Sequence, residues 1–206
     1  MDLSNPASAV VPSLDAAVLR VLAGTSRPLT GREVQRLCER SQRGVQNILD
    51  RMADHGLVDV TDAGRARLYT LNRDHVAADA VLVLSDLRGR LFQRIRERLR
   101  GWEPEPVAAA VFGSAARGDG DPGSDIDLFI VRSDDVDESN PTWASLVDDL
   151  ARCVLRWSGN HASVIQANQA QVTSMVRRGE PVVDELRSDA VPLTETTVLP
   201  AQRTRR

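Results

Sequence analysis

The chain has 206 residues, which is enough for one or two domains. Aromatic residues make up only 3% of it, so its core must be built from Ala, Val, Leu and Ile, and nucleic-acid binding through stacked aromatic platforms is not expected. All 26 basic residues are arginine, which excludes a lysine nucleophile or a P-loop lysine. With a net charge of -3 and no strongly basic half, any DNA binding must come from a local patch.

The sequence predicts a cytoplasmic protein that does not enter a membrane. Cys38 and Cys153 each lie in an apolar helical pattern, as expected of buried thiols in a reducing compartment. The start of the chain lacks a basic region followed by a long apolar region, so we expect no signal peptide. The longest apolar stretch, residues 76–84, is interrupted by Asp79 and is too short to span a bilayer.

Helices followed by a hairpin are predicted in the first part of the chain. Ser13, Thr30 and Ser41 are each placed to cap the N-terminus of a helix with apolar residues at helical spacing. Glu33 completes a capping-box pattern with Thr30. Two β-prone runs then flank a turn at residues 62–64 and are predicted to pair as a hairpin.

This order of elements resembles the winged helix-turn-helix of prokaryotic regulators of the MarR and ArsR kind. The resemblance implies that the third helix enters the major groove of double-stranded DNA and that the hairpin is the wing. Gln and Asn can bond adenine edges, and Arg can bond guanine or phosphate. The alternative is a protein–protein module whose polar side chains are merely solvated. The residues predicted to bind DNA are Gln42, Arg43, Gln46, Asn47 and Arg51 on the helix, with Arg65 and Arg67 on the hairpin.

A single long helix is predicted next. Apolar residues between positions 74 and 100 fall near heptad spacing, with Arg88 interrupting them. Such a helix can link two domains, pack on the second one or pair with its twin in a homodimer. Residues 102–106 then break the helix and lead to the next strand.

Residues 107–131, VAAAVFGSAARGDGDPGSDIDLFIV, organise the rest of the chain. Successive side chains of a strand point to opposite faces, so Asp125 and Asp127 are expected to project together, away from Ile126 and Leu128. Carboxylates held that close repel each other unless a cation lies between them. Mg²⁺, which takes one or two carboxylates plus substrate phosphate oxygens, suits such a pair.

The turn between the two strands is predicted to receive phosphate groups. Gly113 and Ser114 lie where the first strand ends and a helical turn begins, a place at which free backbone N–H groups bind anions. Gly113 allows close approach to the backbone, Ser114 adds a hydroxyl donor, and Arg117 adds a fixed cation. The alternative is that Gly-Ser is an ordinary turn and that Ser124-Asp125 belongs to an Asx-turn or a helix cap.

Together, Gly113-Ser114, Ala116-Arg117-Gly118 and Ser124-Asp125-Ile126-Asp127-Leu128 resemble the signature of the DNA polymerase beta-like nucleotidyltransferases, most closely their minimal prokaryotic branch. Members transfer a nucleotidyl group from an NTP to a hydroxyl acceptor, with Mg²⁺ bridging the carboxylates and the phosphates. The resemblance implies that the catalytic and metal-binding residues are Asp125 and Asp127, and that the nucleotide-binding residues are Gly113, Ser114, Arg117 and Ser124.

A third acid, which this family commonly places on a later strand, is missing from the sequence. The strand expected to carry it, residues 160–167, reads NHASVIQA, and Ser163 occupies the equivalent place. A serine cannot act as a general base at neutral pH, and such assistance is worth about 10²- to 10⁴-fold. Three alternatives follow: a slow enzyme, a nucleotide sensor that controls the DNA-binding half, or a fold retained for dimerisation in a transcription factor.

The sequence therefore predicts an α+β protein in four parts. These are a winged helix-turn-helix in residues 1–75, a linker helix in 76–104, a nucleotidyltransferase-fold mixed sheet packed with helices in 105–196, and a mobile tail in 197–206. The predicted function is a DNA-binding nucleotidyltransferase-like protein that uses Mg²⁺ and an NTP. The alternative is a transcriptional regulator, for example the antitoxin of a toxin-antitoxin pair with a toxin-like partner protein.

Overall fold

Two units, each with its own hydrophobic core, make up the part of the chain that the structure describes. The structure is a computed structural model and describes residues 1–11 and 13–199. Residues 5–87 form one unit, which we call the N-terminal unit. The first four residues and residues 88–199 form the other, the C-terminal unit. Within the described residues, no helix is both long enough and apolar enough to cross a membrane.

Helices pack against an antiparallel sheet in the N-terminal unit. Its elements in chain order are α1 (Leu14–Ala23), β1 (Leu29–Thr30), α2 (Gly31–Cys38), α3 (Gln42–Asp54), β2 (Val58–Ala63), β3 (Ala66–Leu71) and α4 (Ala78–Ser85). The strands lie in the order β1-β3-β2. Apolar side chains at helical spacing on α1, α2 and α3 bury a core that Tyr69 and Leu71 of the sheet complete. The predicted helices and hairpin are confirmed, whereas β1 was not predicted.

Local capping explains where these helices begin. The Thr30 hydroxyl accepts a hydrogen bond from the backbone N–H of Glu33 (3.2 Å), and the Glu33 carboxylate accepts one from the N–H of Thr30 (2.8 Å), so the predicted capping box is confirmed. The Ser41 hydroxyl likewise accepts from the first turn of α3. Ser13 holds the N-cap position of α1, but its hydroxyl donates to Asp15, so the predicted side-chain cap is absent there.

The predicted linker helix over residues 76–104 is wrong, because this stretch holds two helices, α4 and α5 (Leu87–Arg100). Asp86 separates them with a backbone conformation outside the helical region. Val81 of α4 is buried in the core of the N-terminal unit, whereas Ile95 of α5 is buried in the core of the C-terminal unit. The apolar residues of two shorter helices that face different cores therefore fall near a single heptad spacing.

A mixed sheet forms the centre of the C-terminal unit. After α5, its elements are β4 (Ala108–Phe112), α6 (Gly113–Arg117), β5 (Ile126–Arg132), α7 (Pro141–Ser158), β6 (Ala162–Asn168), α8 (Gln169–Arg178), α9 (Pro181–Asp189) and β7 (Val191–Pro192). The strands lie in the order β6-β5-β4-β7, with β5 antiparallel to β4 and parallel to β6. The predicted α+β class and mixed sheet are confirmed.

Helices cover both faces of this sheet. Ile126, Leu128 and Ile130 of β5 belong to a core shared with α5 and α7. Phe129 belongs to a second core on the opposite face, shared with α8 and α9. Because strand side chains alternate, Asp127 projects to the same face as Phe129, away from its isoleucine and leucine neighbours, as predicted.

Two segments outside the predicted domain limits join the C-terminal unit. Leu3 is only 2% exposed in the core with α5 and α7, and its backbone N–H donates to the carbonyl of Gly120 (2.8 Å). Val198 is 8% exposed and packs in the second core. The predicted mobile tail, residues 197–206, is therefore wrong for residues 197–199, and its remainder lies outside the described residues.

Candidate functional site

A tight turn between β4 and α6 places Gly113 against Asp127. Phe112 pairs with Asp127 across the two central strands, so the residue that follows Phe112 lies beside this carboxylate. Gly113 has a φ of +66°, and a Cβ atom there would lie 2.7 Å from Oδ2 of Asp127. Only glycine fits this position without displacing the acid. The Gly-Ser turn thus lies beside the acid, as predicted.

The half-buried carboxyl of Asp127 has a pKa above its ordinary value. Burial is the main cause, followed by repulsion from Asp125 and, more weakly, from Glu185. A hydrogen bond from the Ser163 hydroxyl and the positive charge of Arg117 lower this pKa in part. Asp125 is exposed and directly precedes β5. The paired acids are therefore an unfavourable arrangement that a bound cation would relieve.

Strand β6 supplies no acid to this site, as the sequence indicated. Asp127 pairs with Ser163 in the parallel β5–β6 ladder, so the predicted equivalence of Ser163 to the missing acid agrees with the strand register. The Ser163 hydroxyl is close enough to Asp127 to lower the pKa of its carboxyl. This hydroxyl can orient the carboxylate but cannot replace a third one.

Glu185 of α9 is the carboxylate that sequence reasoning missed. Its neighbours Val183 and Leu186 are buried, and Leu186 packs in the same core as Phe112. This packing leaves Glu185 exposed and close enough to Asp127 to raise its pKa. The sequence carries no signal for this approach, because α9 lies more than fifty residues further along the chain and only tertiary packing brings it to β5.

Arg117 is held between two carboxylates. Its Nε lies 3.0 Å from Oδ2 of Asp119, and its Nη1 lies 2.6 Å from Oδ2 of Asp189 at the end of α9. These hydrogen bonds, that to Asp189 first, raise the pKa of the guanidinium. Arg117 therefore fastens α6 to α9, and its predicted role as a phosphate ligand would require it to exchange one of these partners.

The loop between α6 and β5 is ordered by its own side chains. The Ser124 hydroxyl accepts a hydrogen bond from the N–H of Asp121 (3.0 Å) and donates one to Oδ1 of Asp121 (3.0 Å). The N–H of Gly123 donates to the same oxygen (2.8 Å). These bonds form an Asx-type turn whose acidic residue is Asp121, so it is not the turn at Ser124-Asp125 that the alternative interpretation proposed. The predicted role of Ser124 in nucleotide binding remains a prediction.

The oxygen donors of the site suit a divalent cation whose coordination shell is completed by a bound ligand. Within residues 1–11 and 13–199, no group of three or more His, Cys, Asp or Glu side chains is arranged to hold a metal ion. Asp125 and Asp127 offer two carboxylates, which is the number that Mg²⁺ commonly takes from a protein when substrate phosphates and water supply the remaining oxygens. The residues present therefore fit Mg²⁺ bound together with a nucleotide.

In the N-terminal unit, most of the predicted DNA-binding residues lie on the surface. Gln42, Arg43 and Asn47 of α3 and Arg65 of the hairpin turn are exposed. Gln42 and Arg65 also line a groove of about 730 Å³ between α2, α3 and the hairpin. Arg51 is exposed as well, but it forms an ion pair with an aspartate of α1.

Two predicted DNA-binding residues are engaged with the sheet. Gln46 is half-buried, and its amide donates to the hydroxyl of Tyr69 (2.8 Å) and to Oδ1 of Asp50 (2.9 Å). Arg67 pairs with Asp50 (3.0 Å) and lies over the ring of Tyr69. Gln46 also lines the groove beside the hairpin, and its predicted role in DNA binding remains a prediction.

The central part of the chain matches a known family. Residues 92–174 match the family model of the nucleotidyltransferase domain, and this range includes the Gly-Ser turn and both aspartates. The match supports the nucleotidyltransferase part of the resemblance and indicates nucleotidyl transfer in general.

Whole-chain comparisons add little. No curated protein matches the chain. Among solved structures, human N-acetylserotonin methyltransferase in complex with SAM is similar over 43% of this chain, with 20% identity and a TM-score of 0.28. The chain spans 30% of the length of that structure. A likeness this low carries no argument about fold or function.

Proposed function

We propose that the C-terminal unit transfers a nucleotidyl group from an NTP to a hydroxyl acceptor with the help of Mg²⁺. The observation that carries the proposal is the contact between Gly113 and the carboxylate of Asp127. Gly113 is itself buried, and the contact brings the start of α6, where phosphate groups would bind, next to the acid that would hold the metal. The match of residues 92–174 to the nucleotidyltransferase domain supports the same activity.

Each group at the site has a role in this proposal. Asp125 and Asp127 would hold Mg²⁺, which would neutralise the triphosphate and favour attack at its α-phosphorus. The backbone at Gly113 and the hydroxyl of Ser114 would bind the outer phosphates. The acceptor oxygen forms a bond to the α-phosphorus, the bond to the bridging oxygen breaks, and pyrophosphate leaves.

The acceptor hydroxyl must also lose a proton. Ser163 cannot take it at neutral pH, because a serine hydroxyl is not a base there. Glu185 is a further carboxylate whose negative charge raises the pKa of Asp127, and it lies exposed on α9. We therefore assign proton acceptance to Glu185 within this proposal.

Labelled nucleotides test the proposed activity. The protein is incubated with each of the four NTPs, labelled at the α-phosphate, with and without Mg²⁺, beside a variant that combines Asp125→Ala and Asp127→Ala. Label transferred to protein, RNA or a small molecule, and lost in the variant, supports an enzyme. Binding of nucleotide without transfer supports a sensor instead. If the protein neither binds nucleotide nor transfers label, the proposal is overturned, and dimerisation is left as the use of the fold.

We further propose that the N-terminal unit is a winged helix-turn-helix that binds double-stranded DNA. Support comes from the helices and hairpin of this unit, the exposed Gln42, Arg43 and Asn47 on α3, and the groove beside the hairpin. Amide and guanidinium groups are the side chains that read base edges and bind phosphates. Gel shifts with the DNA upstream of the protein's own gene test this assignment, and an unshifted probe at low salt contradicts it.

The two proposals together describe a cytoplasmic DNA-binding nucleotidyltransferase. Its acceptor could be a toxin-like partner protein, because a nucleotidyl group on a partner's hydroxyl and control of the protein's own promoter are compatible tasks for one chain. A homodimer would suit a DNA-binding protein with a two-fold symmetric operator. Copurification of a partner encoded next to this gene, and its label in the nucleotide assay, would identify the acceptor.

A further inference from the structure

Asn160, which lies between α7 and β6, is one of few buried polar residues of the C-terminal unit, with 2% of its surface exposed. Both the NH₂ group and the carbonyl oxygen of its side-chain amide form hydrogen bonds. Nδ2 donates to the carbonyl of Ser124 (3.0 Å) and, more weakly, to that of Pro122 (3.4 Å). Oδ1 accepts a hydrogen bond from the amine of Met1 (2.7 Å).

The hydrogen bonds that Asn160 donates hold the backbone immediately before Asp125. The carbonyl of Ser124, which Asn160 holds, belongs to the peptide bond that leads into Asp125. On the other side, the N–H of Ile126 donates to the carbonyl of His161 (2.8 Å). Asp125 precedes the first residue of β5, so these two bonds fix its backbone where the strand ladder does not.

The loop before Asp125 has little else to hold it against the unit. Asp121, Pro122 and Gly123 are exposed, and the hydrogen bonds of Asp121 with Gly123 and Ser124 are internal to the loop. Internal bonds give the loop a shape but do not fix its position on the sheet. The amide of Asn160 supplies that fixed point, in addition to the contact of Leu3 with Gly120.

The chemistry of these bonds selects an amide at position 160. A carboxylate has no hydrogen to donate, so Asn160→Asp would set its oxygens against the carbonyls of Pro122 and Ser124. An apolar side chain would remove the donor altogether, so the carbonyls of Ser124 and Pro122 would lose their hydrogen bonds to position 160. Asn160→Ser keeps a donor, but its shorter side chain can reach at most one carbonyl.

We infer that Asn160 is a positioning residue that holds Asp125 beside Asp127 and thereby sets the affinity of the pair for its divalent ion. The inference rests on the proposed function, because it assigns Asn160 a role in the metal site of that reaction. Residues that orient metal ligands without touching the metal typically change its affinity by about 10- to 100-fold when they are replaced.

The test compares Asn160→Asp with wild type by two measurements in the full chain. The first is the dissociation constant of Mn²⁺ in the presence of a non-hydrolysable ATP analogue, which we expect to rise by about 10-fold or more. The second is the transfer rate as a function of Mg²⁺ concentration. We expect the loss of rate to disappear at saturating Mg²⁺, because the acids themselves remain. Asp125→Asn, which removes a ligand, should show no such recovery.

Asn140→Ala is the matched control for a merely structural effect. Oδ1 of Asn140 caps α7 by accepting hydrogen bonds from the N–H groups of Thr142 (2.9 Å) and Trp143 (3.1 Å), so its loss destabilises the same unit without touching the loop. Its Mn²⁺ affinity and Mg²⁺ dependence should match those of wild type. If Asn160→Asp also matches wild type in both measurements, the inference is overturned.

The remaining outcomes also decide the question. If Asn160→Asp does not fold, Asn160→Ser is measured in the same way, with a smaller loss of Mn²⁺ affinity expected. If neither variant folds, Asn160 serves general stability and the positioning role is rejected. If wild type binds Mn²⁺ but transfers no label, the proposed activity fails while the affinity comparison still tests Asn160. If wild type binds no Mn²⁺, both claims fail.

Discussion

At Asp127, burial and neighbouring negative charge raise the pKa of the carboxyl at the place where a cation would bind. The spacing of two acids around Ile126, and the alternation of a strand, were enough to predict that Asp127 projects away from the isoleucine core. The same pattern could not reveal that burial and Glu185 raise its pKa, because both depend on helices that pack from elsewhere in the chain. The local half of this site was therefore predictable and the tertiary half was not.

Replacing Asp127 should stabilise the protein while removing its activity. The pKa of Asp127 is raised in the folded state, so the unfolded chain ionises first as the pH rises above 3.8, and the folded state loses relative stability from there upward. Without Mg²⁺ or nucleotide, we expect Asp127→Asn to melt at a higher temperature than wild type near pH 7. The difference should vanish below the ordinary pKa of 3.8.

The same variant should lose label transfer by at least about 100-fold, the scale for removing one electrostatic group from a reaction site. Thermal melts at several pH values and the labelled-nucleotide assay measure the two effects. A lower melting temperature for Asp127→Asn near pH 7 would contradict the conclusion that ionising this half-buried acid destabilises the folded state.

Glu185→Gln should lower the pKa of Asp127, since the negative charge of Glu185 raises it. The pKa can be followed through the side-chain carboxyl resonance of Asp127 in an NMR titration of the metal-free protein. If Glu185 also accepts the proton of the acceptor hydroxyl, the transfer rate should fall by about 10²- to 10⁴-fold.

Asp184→Asn is the control on the same helix, because Asp184 pairs with Arg187 (3.3 Å) and does not contribute to the pKa of Asp127. It should leave both the titration and the rate unchanged. If the titration of Asp127 is identical in Glu185→Gln and wild type, Glu185 does not act on the site.

At the scale of elements, capping residues were the most informative part of the sequence. Thr30 with Glu33, and Ser41, marked two helix starts correctly because a cap is a local interaction within one turn. The two-residue strands β1 and β7 were not predicted, since each is defined by pairing with a distant strand and too short to show a pattern. The hydrogen bond of Gln46 to Tyr69 was not predicted for the same reason, because Tyr69 lies on the sheet.

The predicted DNA-binding residues of α3 are therefore expected to contribute unequally to DNA binding. Arg43 is exposed, and Arg43→Ala should weaken DNA binding by about 5- to 150-fold, the range for one contact worth about 1–3 kcal/mol. Arg51→Ala removes the same charge from the same helix, but Arg51 already pairs with Asp15, so its effect should be smaller. Binding titrations at fixed salt measure both.

Gln46→Ala should act mainly on stability in that comparison, because it removes hydrogen bonds to Tyr69 and Asp50. The melting temperature of this variant should therefore fall while that of Arg43→Ala stays close to wild type. Equal DNA affinity of Arg43→Ala and wild type would remove α3 as the reading helix.

At the scale of the whole molecule, the division of the chain was the least predictable feature. The apolar residues between positions 76 and 100 fall near heptad spacing on both sides of Arg88, although the first part of this stretch is buried in one unit and the second part in the other. Leu3 lies among the first residues, yet it belongs to the C-terminal unit. Neither assignment can be read from local periodicity, because the pattern shows that a residue is buried and not which core buries it.

Leu3→Ala tests this division directly. Leu3 is only 2% exposed in the core with α5 and α7, and replacing a buried leucine by alanine typically costs about 2–5 kcal/mol. We expect faster hydrogen exchange in β4 and β5, which share the unit of Leu3, and unchanged exchange in β2 and β3. Leu22→Ala, at a position only 1% exposed in the core of the N-terminal unit, should give the opposite pattern. Loss of protection in β2 and β3 on Leu3→Ala would place this residue in the N-terminal unit, as its position in the sequence first indicated.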